Sequence, residues 1–121
     1  MTAADAMTRG TIVYTTCPDE ATARELARVL IAERWAACAN LYPIVSVYRW
    51  QDEVAEDREW ALWLKTRADL YPALEREIGR RHPYDVPAIV ALPLTEIAPP
   101  YAAWLEESTR RAADGHPDQE R

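Results

Sequence analysis

Glycine is scarce in this chain: Gly10, Gly79 and Gly115 are the only three among 121 residues, and they stand far apart. No glycine-rich loop is available to cradle a phosphate. The strings G-x-S-x-G, H-E-x-x-H and C-x-x-C are missing too, which removes the nucleophile-elbow, zinc-peptidase and dithiol readings. Cysteine is equally thin. Cys17 and Cys38 are too few for a disulfide framework and are expected as free thiols. No apolar run approaches the roughly 20 residues that cross a bilayer. The opening MTAADAMTRG has no basic stretch followed by an apolar one, so the expectation is a soluble, cytoplasmic protein. Catalysis also lacks parts. A cysteine hydrolase would need Cys17 or Cys38 beside His82 with an orienting group, and nothing in the sequence supports that arrangement. The chain reads as a binder, not an enzyme.

What the chain does have is apolar content of 49%, enough for one ordinary core in one domain. Its formal charge of -6 sets a negative field that repels phosphate backbones and anionic bilayers, so neither nucleic acid nor a membrane surface is an expected partner.

Thr11 to Thr16 (TIVYTT) reads as a short buried strand, ended by Pro18 and by Asp19 at the start of a helix. From Asp19 to about Trp35, Ala23, Leu26, Ala27 and Leu30 recur at helical spacing, with Glu20 and Arg24 paired on the outer face. Cys38 to Trp50 changes to a period near two, interrupted at Pro43, which suits an edge or a bulge. After a polar break at Gln51, Asp52 and Glu53, a third strand runs from Glu59 to Thr66. Trp60, Leu62 and Leu64 share one of its faces; Ala61, Trp63 and Lys65 share the other. Asp69 is the expected N-cap of a second helix, with Pro72 in its first turn and Leu70, Leu74 and Ile78 on one face as far as Arg81. A last strand lies within Asp85 to Leu94, and Pro99 and Pro100 open a third helix with Tyr101, Trp104, Leu105 and Ser108 on one stripe. Residues 1–10 and the polar stretch 110–121 offer little to bury and are expected to be mobile, leaving 11–109 as the domain. The order βαββαβ plus a helix suggests an α+β split βαβ sandwich.

A sheet covered by helices on one side should be polar on the other. This one is not: Trp63 is added to Trp60, Leu62 and Leu64 on the third strand, and Tyr48 and Trp50 crowd the hairpin tip. Either the third helix folds over the open face or further copies of the chain cover it, and symmetric association accounts better for the surplus.

Several strings together resemble the CutA family: the junction from Ala36 to Asn40 (AACAN), YRWQ at Tyr48 to Gln51, LKT at Leu64 to Thr66, and HPYDVP at His82 to Pro87, within a match over about residues 11 to 107. The resemblance implies a ferredoxin-like sandwich with a long hairpin, assembly as a homotrimer and a link to tolerance of copper and other divalent cations. It also implies a likeness to PII-type signalling trimers, and so a second expectation: a sensor holding a small anionic ligand in clefts between subunits, with a purely structural trimer as a third. No cofactor is required, and Cu(II) or another divalent cation is the ligand to expect. Candidate metal ligands are His82, Cys38 and Cys17. An imidazole suits many divalent ions and thiols suit soft ones, and Cys17, near a helix N-terminus, is expected to be the readier thiolate. Where some relatives carry a cysteine and a glutamate this chain has Thr15 and Ala88, so two candidate ligands are missing. Glu59 and Lys65 share a face of the third strand, where Lys65 needs a partner or a ligand, and Tyr84, Tyr48 and Trp50 are expected to line the same cleft or a subunit interface.

Overall fold

The computed structural model describes residues 9–111. Its elements are β1 (Gly10–Cys17), α1 (Glu20–Ala32), β2 (Cys38–Trp50), β3 (Glu53–Arg67), a 3-10 turn (Ala68–Leu70), α2 (Tyr71–Arg81), β4 (Ile89–Leu94) and α3 (Pro99–Ser108). The strands form one antiparallel sheet in the order β2-β3-β1-β4. This is the expected α+β split βαβ arrangement with its extra helix.

Asp19 is the N-cap of α1: its carboxylate accepts the Thr22 N–H at 2.8 Å, which meets one of the orphan donors of the first turn. Ala23, Leu26, Ala27 and Leu30 are the buried residues of that helix. They meet Val13, Cys17, Leu62 and Leu64 from the sheet and Leu74 and Ile78 from α2 in a single core. The α2 start differs from expectation. Asp69 sits inside the 3-10 turn and faces Arg67 at 3.5 Å, while Leu70 occupies the cap with no side-chain bond. Pro72, whose missing N–H costs nothing in a first turn, sets the start instead.

The β2-β3 hairpin is longer than the alternation around Glu59 indicated, because β3 begins at Glu53 and pairs in register from Trp50↔Glu53 to Cys38↔Lys65. Its turn residues Gln51 and Asp52 have φ of 49° and 65°, the pair of positive values that a two-residue turn needs to match strand twist. The polar VAEDR segment was hidden because it carries charge on both faces, with no helix above it to demand an apolar side.

α3 lies across part of the face away from α1 and α2. Ala102, Leu105 and Thr109 are buried there, while Trp104, expected on the covered stripe, is 46% exposed. Gly10 lies under this helix: a Cβ on it would come within 2.8 Å of Ile97 and 3.2 Å of Leu105. Arg67 bonds Glu106 at 2.9 Å, and Arg34 donates to the Glu107 and Ser108 carbonyls at its C-terminus. Cover by α3 stops there. Val90, Leu92, Tyr42, Tyr48 and Trp50 stay exposed.

The expected mobile ends, 1–10 and 110–121, fall almost wholly outside the described residues. Gly10 already belongs to β1, and Arg111 stacks on Trp35 with its guanidinium carbon 3.3 Å from the ring centre. Among the described residues no helix is long and apolar enough to cross a membrane.

Candidate functional site

His82 precedes Pro83, and a residue before proline is driven out of the helical region. Its φ and ψ of -77° and 141° end α2 and turn the ring back over the end of β1. There Nε2 lies 2.8 Å from the Thr16 carbonyl and Nδ1 lies 3.1 Å from the Tyr84 nitrogen. A backbone N–H only donates, so Nδ1 accepts and Nε2 carries the proton. The imidazole is neutral, buried and engaged at both nitrogens, and a metal could bind it only by displacing one of these bonds.

The loop so fixed aims Tyr84 at β3. Its hydroxyl donates to Glu59 Oε2 at 2.8 Å, and burial first, then that hydrogen bond and the charge on Glu59, raise the phenol's pKa. Cys17 stands nearby but faces the core, opposite Trp60. The expectation of a readily ionised thiol fails here. Burial, then the charges of Glu59 and Asp19, push its pKa up to about 11, because a desolvated thiolate beside two carboxylates loses more than the helix N-terminus returns.

Cys38 lies elsewhere. It pairs with Lys65, whereas Cys17 pairs with Trp60, which puts the two thiols on opposite faces and about 16 Å apart along β3 at roughly 3.3 Å per residue. His82, Cys17 and Cys38 are therefore not brought together. Among the described residues no group of three or more His, Cys, Asp or Glu could hold a metal ion. Thr15 is buried with its hydroxyl unpartnered, and Ala88 is exposed just before β4.

On the open face of the sheet, Asp57 and Glu59 point the same way two residues apart and are met by phenols from two sides, Tyr48 to Asp57 and Tyr84 to Glu59. Tyr14 packs edge-on against Trp63 at 5.0 Å, and the Trp63 indole N–H donates to the Tyr42 hydroxyl at 2.8 Å. Asp57, Tyr14 and Tyr42 were not singled out from sequence. The alternation that marks Glu59 also reaches Asp57 once β3 is extended. Lys65 shares this face with Glu59 but stands about 20 Å along the strand. The two form no ion pair, and the Lys65 ammonium lies 5.9 Å from the centre of the Tyr101 ring. Trp50, at the hairpin end, is equally far from Tyr84's partner Glu59, so Tyr84 and Trp50 do not line one cleft within a chain.

The model of the CutA1 divalent ion tolerance protein family matches residues 11–108. The divalent-cation tolerance protein CutA of Thermus thermophilus is 46% identical over 99 residues, which are 81% of this chain and 96% of that protein. The Pyrococcus horikoshii protein of the same name is 42% identical over 100 residues, 83% of this chain and 98% of that one. Mouse protein CutA is 39% identical over 102 residues, and the match spans 58% of its length. Among solved structures, CutA1 of P. horikoshii superposes with a TM-score of 0.81 at 42% identity, covering 84% of this chain and 99% of the other. The periplasmic divalent cation tolerance protein CutA of Archaeoglobus fulgidus gives 0.82 at 28% identity, with 84% and 99% covered. With the family model spanning nearly the whole described chain, and a relative 46% identical over 96% of its own length, this chain belongs to the CutA1 divalent ion tolerance family.

Proposed function

We propose that the chain works as a homotrimer, in the cytoplasm and without catalysis, and that it binds copper or another divalent cation weakly on the face where copies meet. The observation that carries this reading is the uncovered sheet face. Among the described residues nothing covers Trp50, Val90 and Leu92 on that face, which are 59%, 51% and 46% exposed, and apolar surface gains about 25 cal/mol for each Å² removed from water. Both sheet edges, β2 and β4, are open to pairing, a hazard that association removes. The number three comes from the family resemblance.

Weak binding follows from the donors. His82 is engaged at both nitrogens, Cys17 holds its proton, and no single chain gathers a set of ligands among the described residues. A cation would have to draw on more than one copy, with Cys38, Asp57 and Glu59 as the donors on the shared face.

Light scattering on metal-free protein, followed by calorimetry with Cu(II) and Zn(II), tests both parts. Three copies and a heat that is reduced in Glu59→Gln or Cys38→Ser is the expected result. A different copy number overturns the trimer. Absence of heat overturns the cation reading, and a heat lost only in His82→Ala would return the site to the imidazole.

A further inference from the structure

On the helix side of the sheet, α1 and β2 leave an open groove of about 340 Å³ between them. Its lining is small and apolar, from Ala27, Ile31 and Ala32 of α1 and Ala39 and Leu41 of β2. The two β2 residues pack against the main core, so the groove lies opposite the face on which copies are proposed to meet. Ile31 is 37% exposed there, although Ala27 and Leu30 beside it on the helix are buried. Two guanidinium groups border the same space. Arg24 is held by Glu20 at 2.6 Å. Arg28, four residues on, makes no hydrogen bond and no ion pair among the described residues, and like charges at that spacing on a helix repel. An apolar floor beside an unneutralised cation fits an occupant that carries a stiff apolar side chain next to a carboxylate.

The chain leaves α3 at one end of this groove. Arg34 donates to the Glu107 and Ser108 carbonyls at 3.0 and 3.1 Å, and Arg111 donates to the Glu33 carbonyl with its guanidinium laid on Trp35. Glu33 directly follows Ala32, which lines the groove. The sequence continues as AADGHPDQER, residues 112–121, outside the described residues. That stretch has carboxylates at Asp114, Asp118 and Glu120 against the single cation Arg121, and Pro117 stands directly before Asp118. Arg28 lies about 8 Å back along α1 from Glu33 at 1.5 Å per residue, and the seven residues from Arg111 to Asp118 reach up to about 23 Å. Reach, charge and the proline therefore agree.

We propose that the groove between α1 and β2 is a docking surface for the chain's own acidic segment, residues 114–120, with Pro117 against Ile31 and Leu41 and the Asp118 carboxylate on Arg28. Proline has little conformational freedom to lose on docking. Exposed ion pairs are weak and screened by salt, so the segment is a displaceable cover whose hold depends on ionic strength. The contact is made within one chain and uses no residue of the cation reading.

An Arg28→Lys variant makes the contact chemically visible, because a water-soluble carbodiimide joins an ammonium to a carboxylate that touches it as an amide. Mass spectrometry after digestion is expected to find position 28 joined to Asp118, in a species that runs at the mass of one chain on a denaturing gel. The yield should fall several-fold in about 1 M salt. In thermal melts at low ionic strength, a chain stopped after Ala113 should melt below the full chain, and Arg28→Ala should lower the melting temperature of the full chain but not of the shortened one. No link from position 28 to residues 114–120, or an equal Arg28→Ala shift in both lengths, overturns the proposal. A link found only at twice the chain mass also overturns it and assigns the groove to a second copy. Should the shortened chain fail to fold, Asp118→Asn in the full chain, which is expected to abolish the link, decides.

Discussion

At the scale of single residues, burial decides the chemistry more than sequence neighbourhood does. Cys17 has the helix N-terminus beside it that favours a thiolate, yet its thiol is pushed up to about 11 by burial and by Glu59 and Asp19. Its proton is therefore held more tightly in the folded than in the unfolded chain. Above pH 9 the unfolded state sheds that proton first, so stability is expected to fall as pH rises from about 9 to 11. Urea midpoints across that range should fall less steeply in Cys17→Ala. Alkylation at neutral pH should label Cys38 well before Cys17. Thr15 makes a different case. Its hydroxyl is fully buried and unpartnered, and an isosteric methyl has nothing to satisfy, so Thr15→Val is expected to raise stability by about 1 kcal/mol in urea unfolding.

Among the elements, α1 was the most legible. Its apolar spacing, its cap and its Glu20–Arg24 pair at 2.6 Å all follow from contacts within a few residues. Asp19→Ala should lower the melting temperature at neutral pH by removing the bond to the Thr22 N–H. That bond holds the Asp19 carboxyl below the usual range, so its contribution is present when the group is ionised and lost as pH falls through the depressed value. The difference between wild type and variant is expected to vanish in acid, which thermal scans from neutral pH down to pH ~2 will check. β3 was less legible, since its first residues have neither helix nor apolar alternation. Only the register from Trp50↔Glu53 onward reveals them as strand. The cap of α2 was misassigned for a related reason: Asp69 has the right chemistry, but Arg67 claims it.

For the molecule as a whole, the unresolved surplus is apolar surface. α3 buries Ala102, Leu105 and Thr109 against one end of the open face, and leaves the hairpin uncovered. On the trimer reading, Val47→Asp combined with Trp50→Asp is expected to give folded monomers by light scattering and unchanged far-ultraviolet circular dichroism. Both side chains lie largely in solvent in the single chain and so are not needed for its own core. Survival of the assembly in this variant would move the contact away from the distal hairpin.

The sequence by itself determined the order of elements, the core residues of α1, the hairpin and the family, because periodicity, turn residues and motif strings are local properties of the chain. It also placed Glu59, Lys65 and Tyr84 among the residues to watch. Only the tertiary structure decided which of them meet. A half-turn imposed by Pro83 sends His82 to the Thr16 carbonyl and Tyr84 to Glu59. Strand rise carries Lys65 about 20 Å from the carboxylate that shares its face, and the pleat sends Cys17 and Cys38 to opposite sides of the sheet. Distance and orientation across strands depend on register and layer order, which arise from packing the whole chain.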